Sequence, residues 1–175
     1  MLFATFRETL EAPWTSVASL RVGDWNQMTG APTVYVTVER EGEPLLRVDV
    51  YDREASSKPF REVAAWAELI VIGFAGHVHL VWPVRATVKT FPMNGYFGHI
   101  YATQESLLIA DAERIHCFDQ RGSVLWRSET VGIDGVVVHN VEDGIIAGEG
   151  EWDPPGGWRP FLLLLSSGVA PRSPT

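Results

Sequence analysis

An all-β fold, mainly antiparallel and built from repeated meanders, is what this sequence predicts, and three observations carry the expectation. Short runs rich in β-branched and aromatic residues recur along most of the chain, each bounded by Gly, Asp, Asn or Pro. Apolar spacing of the helical kind is confined to two short stretches. From residue 68 onward, three similar units follow one another.

Taken in chain order, the elements begin with Phe3, Phe6 and Leu10, which fall at helical spacing before Pro13 ends the pattern and so predict a short helix. Thr33 to Val38 alternates apolar and polar residues, Glu41-Gly42-Glu43 supplies a turn, and Leu45 to Tyr51 alternates again, which predicts a hairpin with a short Gly-containing loop. A loop follows over Asp52 to Ala65 with Ser56-Ser57-Lys58-Pro59 at its core, and the run Phe60 to Ala67 predicts one or two helical turns at its end. The three units then span 68–91, 100–127 and 136–169. Each is a meander of short strands repeating at roughly 35 to 40 residues, about the length of one four-stranded propeller blade. The expectation is one β-rich domain, 1–175, that is propeller-like or a partial propeller, with a twisted antiparallel sheet or a β-sandwich as the alternative.

The second unit is the clearest. Leu107-Leu108-Ile109-Ala110-Asp111 leads through Ile115-His116-Cys117-Phe118-Asp119, a turn at Gln120-Arg121-Gly122, and Val124-Leu125-Trp126-Arg127. This run resembles the repeat of quinoprotein-type β-propellers, in which an apolar-x-aromatic-Asp strand, a glycine turn and an apolar-apolar-Trp strand close each blade. In such a unit Phe118 and Trp126 face a neighbouring blade, while Asp119 and Gly122 make the tight turn. The first and third units lack a tryptophan at the corresponding place after the turn. No cofactor follows from the likeness, because the members that bind pyrroloquinoline quinone are far longer and periplasmic and their cofactor-contacting positions find no match here.

Bulk composition narrows the function classes. With 175 residues the chain can bury roughly 70% of its unfolded surface. Its 46% hydrophobic and 21% charged residues exclude a disordered chain. Fourteen basic residues against 22 acidic ones give a net charge of -8, which repels phosphate and anionic lipid, so neither nucleic acid nor membrane is an expected partner. The lone Cys117 has no partner for an internal disulfide, and Glu8 and Glu11 stand where a signal peptide would continue its apolar core. The apolar runs Leu69–Phe74 and Phe161–Leu165 are too short to cross about 30 Å of hydrocarbon. A soluble, cytoplasmic protein is expected.

The most distinctive segment is Gly148 to Pro160. Its Pro154-Pro155 and Gly156-Gly157 pairs argue against regular strand and predict a shaped loop. Trp152 and Trp158 would then form a platform for a protein segment or a small polar ligand, with Glu149, Glu151, Asp153 and Arg159 fixing its orientation. Alternatively, the two rings fold back as a cap over an open sheet edge. Gly148-x-Gly150 is not read as a phosphate loop, because acids flank it and prolines stand where the helix would begin.

Catalytic signals are sparse. His77 and His79, two apart, would share one face of a strand and could seat two imidazoles on one ion, with a third ligand from His99, His116, His139 or a loop acid. That arrangement would make a metal-assisted hydrolase, but no recognised zinc spacing is present and no metal or cofactor is expected. There is no Gly-x-Ser-x-Gly elbow, and Cys117 sits in an apolar run as a small hydrophobe. The leading expectation is a non-enzymatic binding or scaffold domain that uses the Trp152 to Trp158 segment. The hydrolase and a homodimer that completes exposed sheet edges are its rivals.

Overall fold

The computed structural model describes residues 1–27, 29–53, 59–152 and 156–172. Among these residues the chain is all-β, with fifteen strands, no helix and no closed barrel. They gather in two compact units, Met1–Pro92 and Met93–Thr175.

The first unit holds two four-stranded sheets. One is made of β1 (Leu2–Arg7), β2 (Ser19–Gly23), β3 (Val34–Arg40) and β4 (Glu43–Tyr51), in the order β1-β3-β4-β2. The β3–β4 hairpin turns at Glu41 and Gly42, which both take left-handed φ values (55° and 85°), as a two-residue turn matched to strand twist requires. All pairings are antiparallel except β2 with β4. The second sheet is a sequential meander of β5 (Arg61–Trp66), β6 (Leu69–Phe74), β7 (His77–Trp82) and β8 (Thr87–Pro92). Val36, Val38, Val48 and Val50 of the first sheet pack against Ile70, Ile72 and Phe74 of the second. Burying each such side chain contributes about 1.5–3 kcal/mol.

Both expected helices are strands. Leu2, Ala4 and Phe6 alternate onto the core while Phe3 stays 63% exposed, so the period that matters in β1 is two. The apparent helical spacing arose from counting Phe3 as an inward residue. In β5 the helix-favouring residues Arg61, Glu62, Ala64 and Ala65 are overridden by pairing along the full length of β6, with Val63 opposite Ile72. Residues 54–58, within the expected loop, lie outside the described residues.

The second unit holds a four-stranded meander, β9 (Phe97–Ala102), β10 (Leu107–Asp111), β11 (Ile115–Phe118) and β12 (Val124–Arg127), and a three-stranded one, β13 (Val136–Glu142), β14 (Ile145–Trp152) and β15 (Gly157–Leu164). Leu108, Ala110, Ile115 and Cys117 of the first sheet pack on Val136, Val138, Ile146 and Leu163 of the second. The β11–β12 turn forms as its residues suggest, since Asp119 Oδ1 accepts from the amides of Arg121 and Ser123, and Gly122 takes φ 68°. Trp126 docks within this unit: its indole N–H donates to the Leu165 carbonyl at 2.8 Å, and its ring lies against Gly168.

Residues 148–152 and 157–160 are strand and not the expected irregular loop. β14 and β15 pair from Ile145 opposite Leu164 to Trp152 opposite Gly157, and Pro154 and Pro155 lie outside the described residues. Pro160 is tolerated because it stands on an edge strand with its nitrogen turned outward. The Leu164 amide, in phase with it, donates away from β14 to Val169, and Leu165 donates back to Gly144. Gly150 serves a crossing. A methyl group at Gly150 would stand 1.8 Å from the Val131 carbonyl oxygen, so only glycine lets the 131–135 strap pass over β14.

Candidate functional site

Alternation along β14 and β15 sorts the segment's side chains onto two faces. Cross-strand partners share a face, so Ile146 with Leu163, Gly148 with Phe161, Gly150 with Arg159, and Trp152 with Gly157 belong to the inner face, where Ile146 and Leu163 join the core. The other face is formed by Ile145 with Leu164, Ala147 with Leu162, Glu149 with Pro160, and Glu151 with Trp158. Trp152 and Trp158 therefore point to opposite sides, and the expected joint platform does not form. Trp152 instead carries Arg159 over its ring at 5.7 Å, a cation–π pair internal to the hairpin. Asp153 lies outside the described residues.

Outward-facing residues make a continuous surface. β13 adds Val137 opposite Glu149, Asn140 opposite Ala147 and Glu142 opposite Ile145, and Gly135 continues the ladder by accepting the Glu151 amide at 2.8 Å. Along β15 this surface exposes Trp158 (48%), Pro160 and Leu162 (53%) in one row. Beside that row stand Glu151, Glu149 and Glu142, and among the described residues of these three strands the face carries no lysine or arginine. His139, at the β13 bulge, places Nε2 3.3 Å from Glu149 Oε2.

The upper end of this face is shaped by residues that no local signal announces. A methyl group at Gly135 would meet Trp158 Cη2 at 3.2 Å and Glu151 Oε2 at 3.6 Å, so the indole and the carboxylate converge over a bare stretch of backbone. The strap that carries Gly135 is pinned on both sides. Val131 and Gly132 donate to the Glu113 carbonyl, Gly135 donates to Ala112, and Ile133 donates to Glu151 at 2.7 Å. Tyr96 closes the corner by donating its hydroxyl to the Asp134 carbonyl at 2.5 Å. Its phenol ionises less readily than usual, first through burial and then through the nearby negative charges of Asp134 and Glu151.

The histidine pair is real but differently employed. His77 and His79 do share a face, with stacked rings 6.0 Å apart. His77 Nδ1 lies 3.6 Å from Asp52 Oδ2, and His79 Nδ1 is hydrogen-bonded to Thr90 Oγ1 at 2.9 Å. Among the described residues no three His, Cys, Asp or Glu side chains come together as a metal site, so none of the candidate third ligands joins the pair. Burial pushes the His79 pKa from 6.5 down to about 3, with the His77 charge adding to this and Asp24 opposing it.

A folded-state pKa below the unfolded one means that the unfolded chain binds the extra proton, so stability is full above pH 6.5 and falls as pH drops toward 3. By pH 5 the loss assigned to His79 should reach about 2 kcal/mol. Denaturant melts at pH 7 and pH 5 should show this difference shrinking in His79→Asn. An equal slope in wild type and variant would mean that His79 titrates normally.

Cys117 is no nucleophile. Burial raises its thiol to about 11, with the Asp119 charge pushing the same way and a Ser106 hydrogen bond pulling against it. His116 and Asp111 form a buried pair, Nε2 to Oδ2 at 2.7 Å. The same carboxylate also accepts the backbone amides of Asn94, Glu113 and Arg114, which makes it a turn-holding group.

No protein-family model matches the chain, and no curated protein matches it.

Proposed function

We propose that the chain is a non-enzymatic binding domain that meets a protein partner through the outer face of the β13–β15 sheet. One observation carries this reading: an exposed Trp158–Pro160–Leu162 row lies beside Glu149 and Glu151, with Glu142 further along, on a face that holds no lysine or arginine among the described residues of its three strands. Aromatic anchors on a rigid sheet supply contact area at small entropic cost, and the acids give the face a sign. An acidic domain of this kind suits a basic partner, and a cytoplasmic setting suits its single buried thiol.

The metal-assisted hydrolase has less support, because His79 is committed to Thr90 and no third ligand stands by among the described residues. Self-completion along β15 meets Pro160 in the middle of the open edge, where a pairing strand would find no amide to accept from.

Wild type, Trp158→Ala and Leu162→Ser should be used in parallel to recover binding proteins, with circular dichroism confirming that each variant is folded. A protein retained by wild type and lost at least about tenfold by both variants is expected, since a central aromatic anchor is worth more than 1 kcal/mol. Identical retention by all three would sink the outer face as the binding surface.

A further inference from the structure

Four of the seven tryptophans carry a basic side chain of this same chain over the ring. Arg7 lies 5.9 Å from Trp14, Arg21 6.0 Å from Trp25, Lys89 5.7 Å from Trp82 and Arg159 5.7 Å from Trp152. Trp66 is buried, and Trp126 is spent on the Leu165 carbonyl and Gly168. Trp158 is the remaining one. It is 48% exposed, and among the described residues none sets a lysine or arginine over it.

A carboxylate nevertheless waits beside that ring. Trp158 Cη2 and Glu151 Oε2 both stand against the bare Gly135 backbone, so they are no further apart than their 3.2 Å and 3.6 Å distances to its missing methyl taken together. Asp134 is exposed next to Gly135, and its charge and that of Glu151 are both felt by the Tyr96 phenol. An indole face and a carboxylate at this spacing are the two halves of a cation site. The molecule fills the aromatic half at four other tryptophans with its own side chains and leaves it open here.

We propose that Trp158 and Glu151 receive an arginine side chain of the protein partner, its guanidinium stacked on the indole and hydrogen-bonded to the carboxylate. This rests on the reading of the outer face as the binding surface. Arginine fits better than lysine because a planar, weakly hydrated cation can lie flat on one ring while its edge meets a carboxylate, whereas an ammonium keeps its water. A quaternary ammonium ligand fits less well, since such groups are held by several aromatic walls and this site is an open sheet with one exposed indole. The surrounding acids exclude a phosphate-bearing partner.

The test uses the full chain, labelled with ¹⁵N, and two blocked pentapeptides that differ at one position, acetyl-Gly-Gly-Arg-Gly-Gly-amide and the same peptide with citrulline, which keeps the shape of arginine and loses its charge. Saturable shifts are expected at the Trp158 indole N–H and at the Gly135 and Glu151 amides with the arginine peptide. They should weaken at least about tenfold with citrulline or in Glu151→Gln, and stay unchanged in Trp152→Ala, whose ring lies on the other face. Equal shifts of these resonances by both peptides, or indifference to Glu151→Gln, would overturn the arginine site while leaving the outer face as a binding surface. No shift at any outer-face resonance with either peptide would overturn both.

Discussion

Gly150→Ala is expected to cost the second unit about 3–5 kcal/mol, a large part of the total stability of an ordinary domain. The added methyl would stand 1.8 Å from the Val131 carbonyl oxygen, 2.6 Å from its carbon and 2.9 Å from Gly132 Cα, so the obstacle is backbone that cannot rotate away. Lifting the strap would break the Val131 and Gly132 bonds to Glu113 and the Ile133 bond to Glu151. Each such bond is worth about 1 kcal/mol, and unpaired buried groups cost more. Gly76→Ala is the matched control: it has nothing within 4 Å and no left-handed φ, and should change stability by about 0.5 kcal/mol or less. Urea melts of the two variants decide the matter. A Gly150→Ala protein that melts with wild type would mean that the strap does not cross β14 where described.

The second large effect is expected at Asp111. Its carboxylate is fully buried and accepts four hydrogen bonds, from the amides of Asn94 (3.1 Å), Glu113 (2.8 Å) and Arg114 (2.7 Å) and from His116 Nε2 (2.7 Å). Asp111→Ala strands all four donors and should cost about 3–5 kcal/mol. Asp111→Asn should cost less, because its amide oxygen still accepts from Glu113 and Arg114.

The acid dependence follows from the same contacts. Burial alone would raise the carboxyl, but the His116 hydrogen bond and the Glu113 and Asn94 amides outweigh it and hold Asp111 below the ordinary carboxylate range. A depressed folded-state value contributes stability that is full above the unfolded pKa of about 3.9 and lost as pH falls through the lower folded value. Wild type should therefore lose more stability than Asp111→Asn on acidification below about pH 4. Parallel acid titrations of both proteins would refute this assignment by staying parallel.

Legibility of the fold followed the range of the interactions. The β3–β4 hairpin and the Asp119–Gly122 turn were visible because a few adjacent residues determine them. β1 and β5 escape a reading of the sequence because local spacing and residue preference in each are outweighed by pairing along a neighbouring strand, β3 for one and β6 for the other. Gly148 and Gly150 look like loop residues in the sequence, since what demands them, Val137 and Phe161 at Gly148 and the 131–135 strap at Gly150, is brought there only by the folded sheet. The Trp152–Trp158 segment stood out, but its division between two faces depends on the register that pairs Trp152 with Gly157. Gly135, Asp134 and Tyr96 left no trace, because only the strap brings them to Glu151 and Trp158.

β14 separates two kinds of constraint by parity alone. Positions 146, 148 and 150 are dictated by what crosses or packs beneath them, and 145, 147, 149 and 151 answer only to what lies outside. Mutations at the second set, with 158 and 162 across the hairpin, can drift without endangering folding. With the outer face as the binding surface proposed above, a lineage could exchange one partner for another there by single steps, and a library randomised at those positions would explore new specificities on an unchanged scaffold.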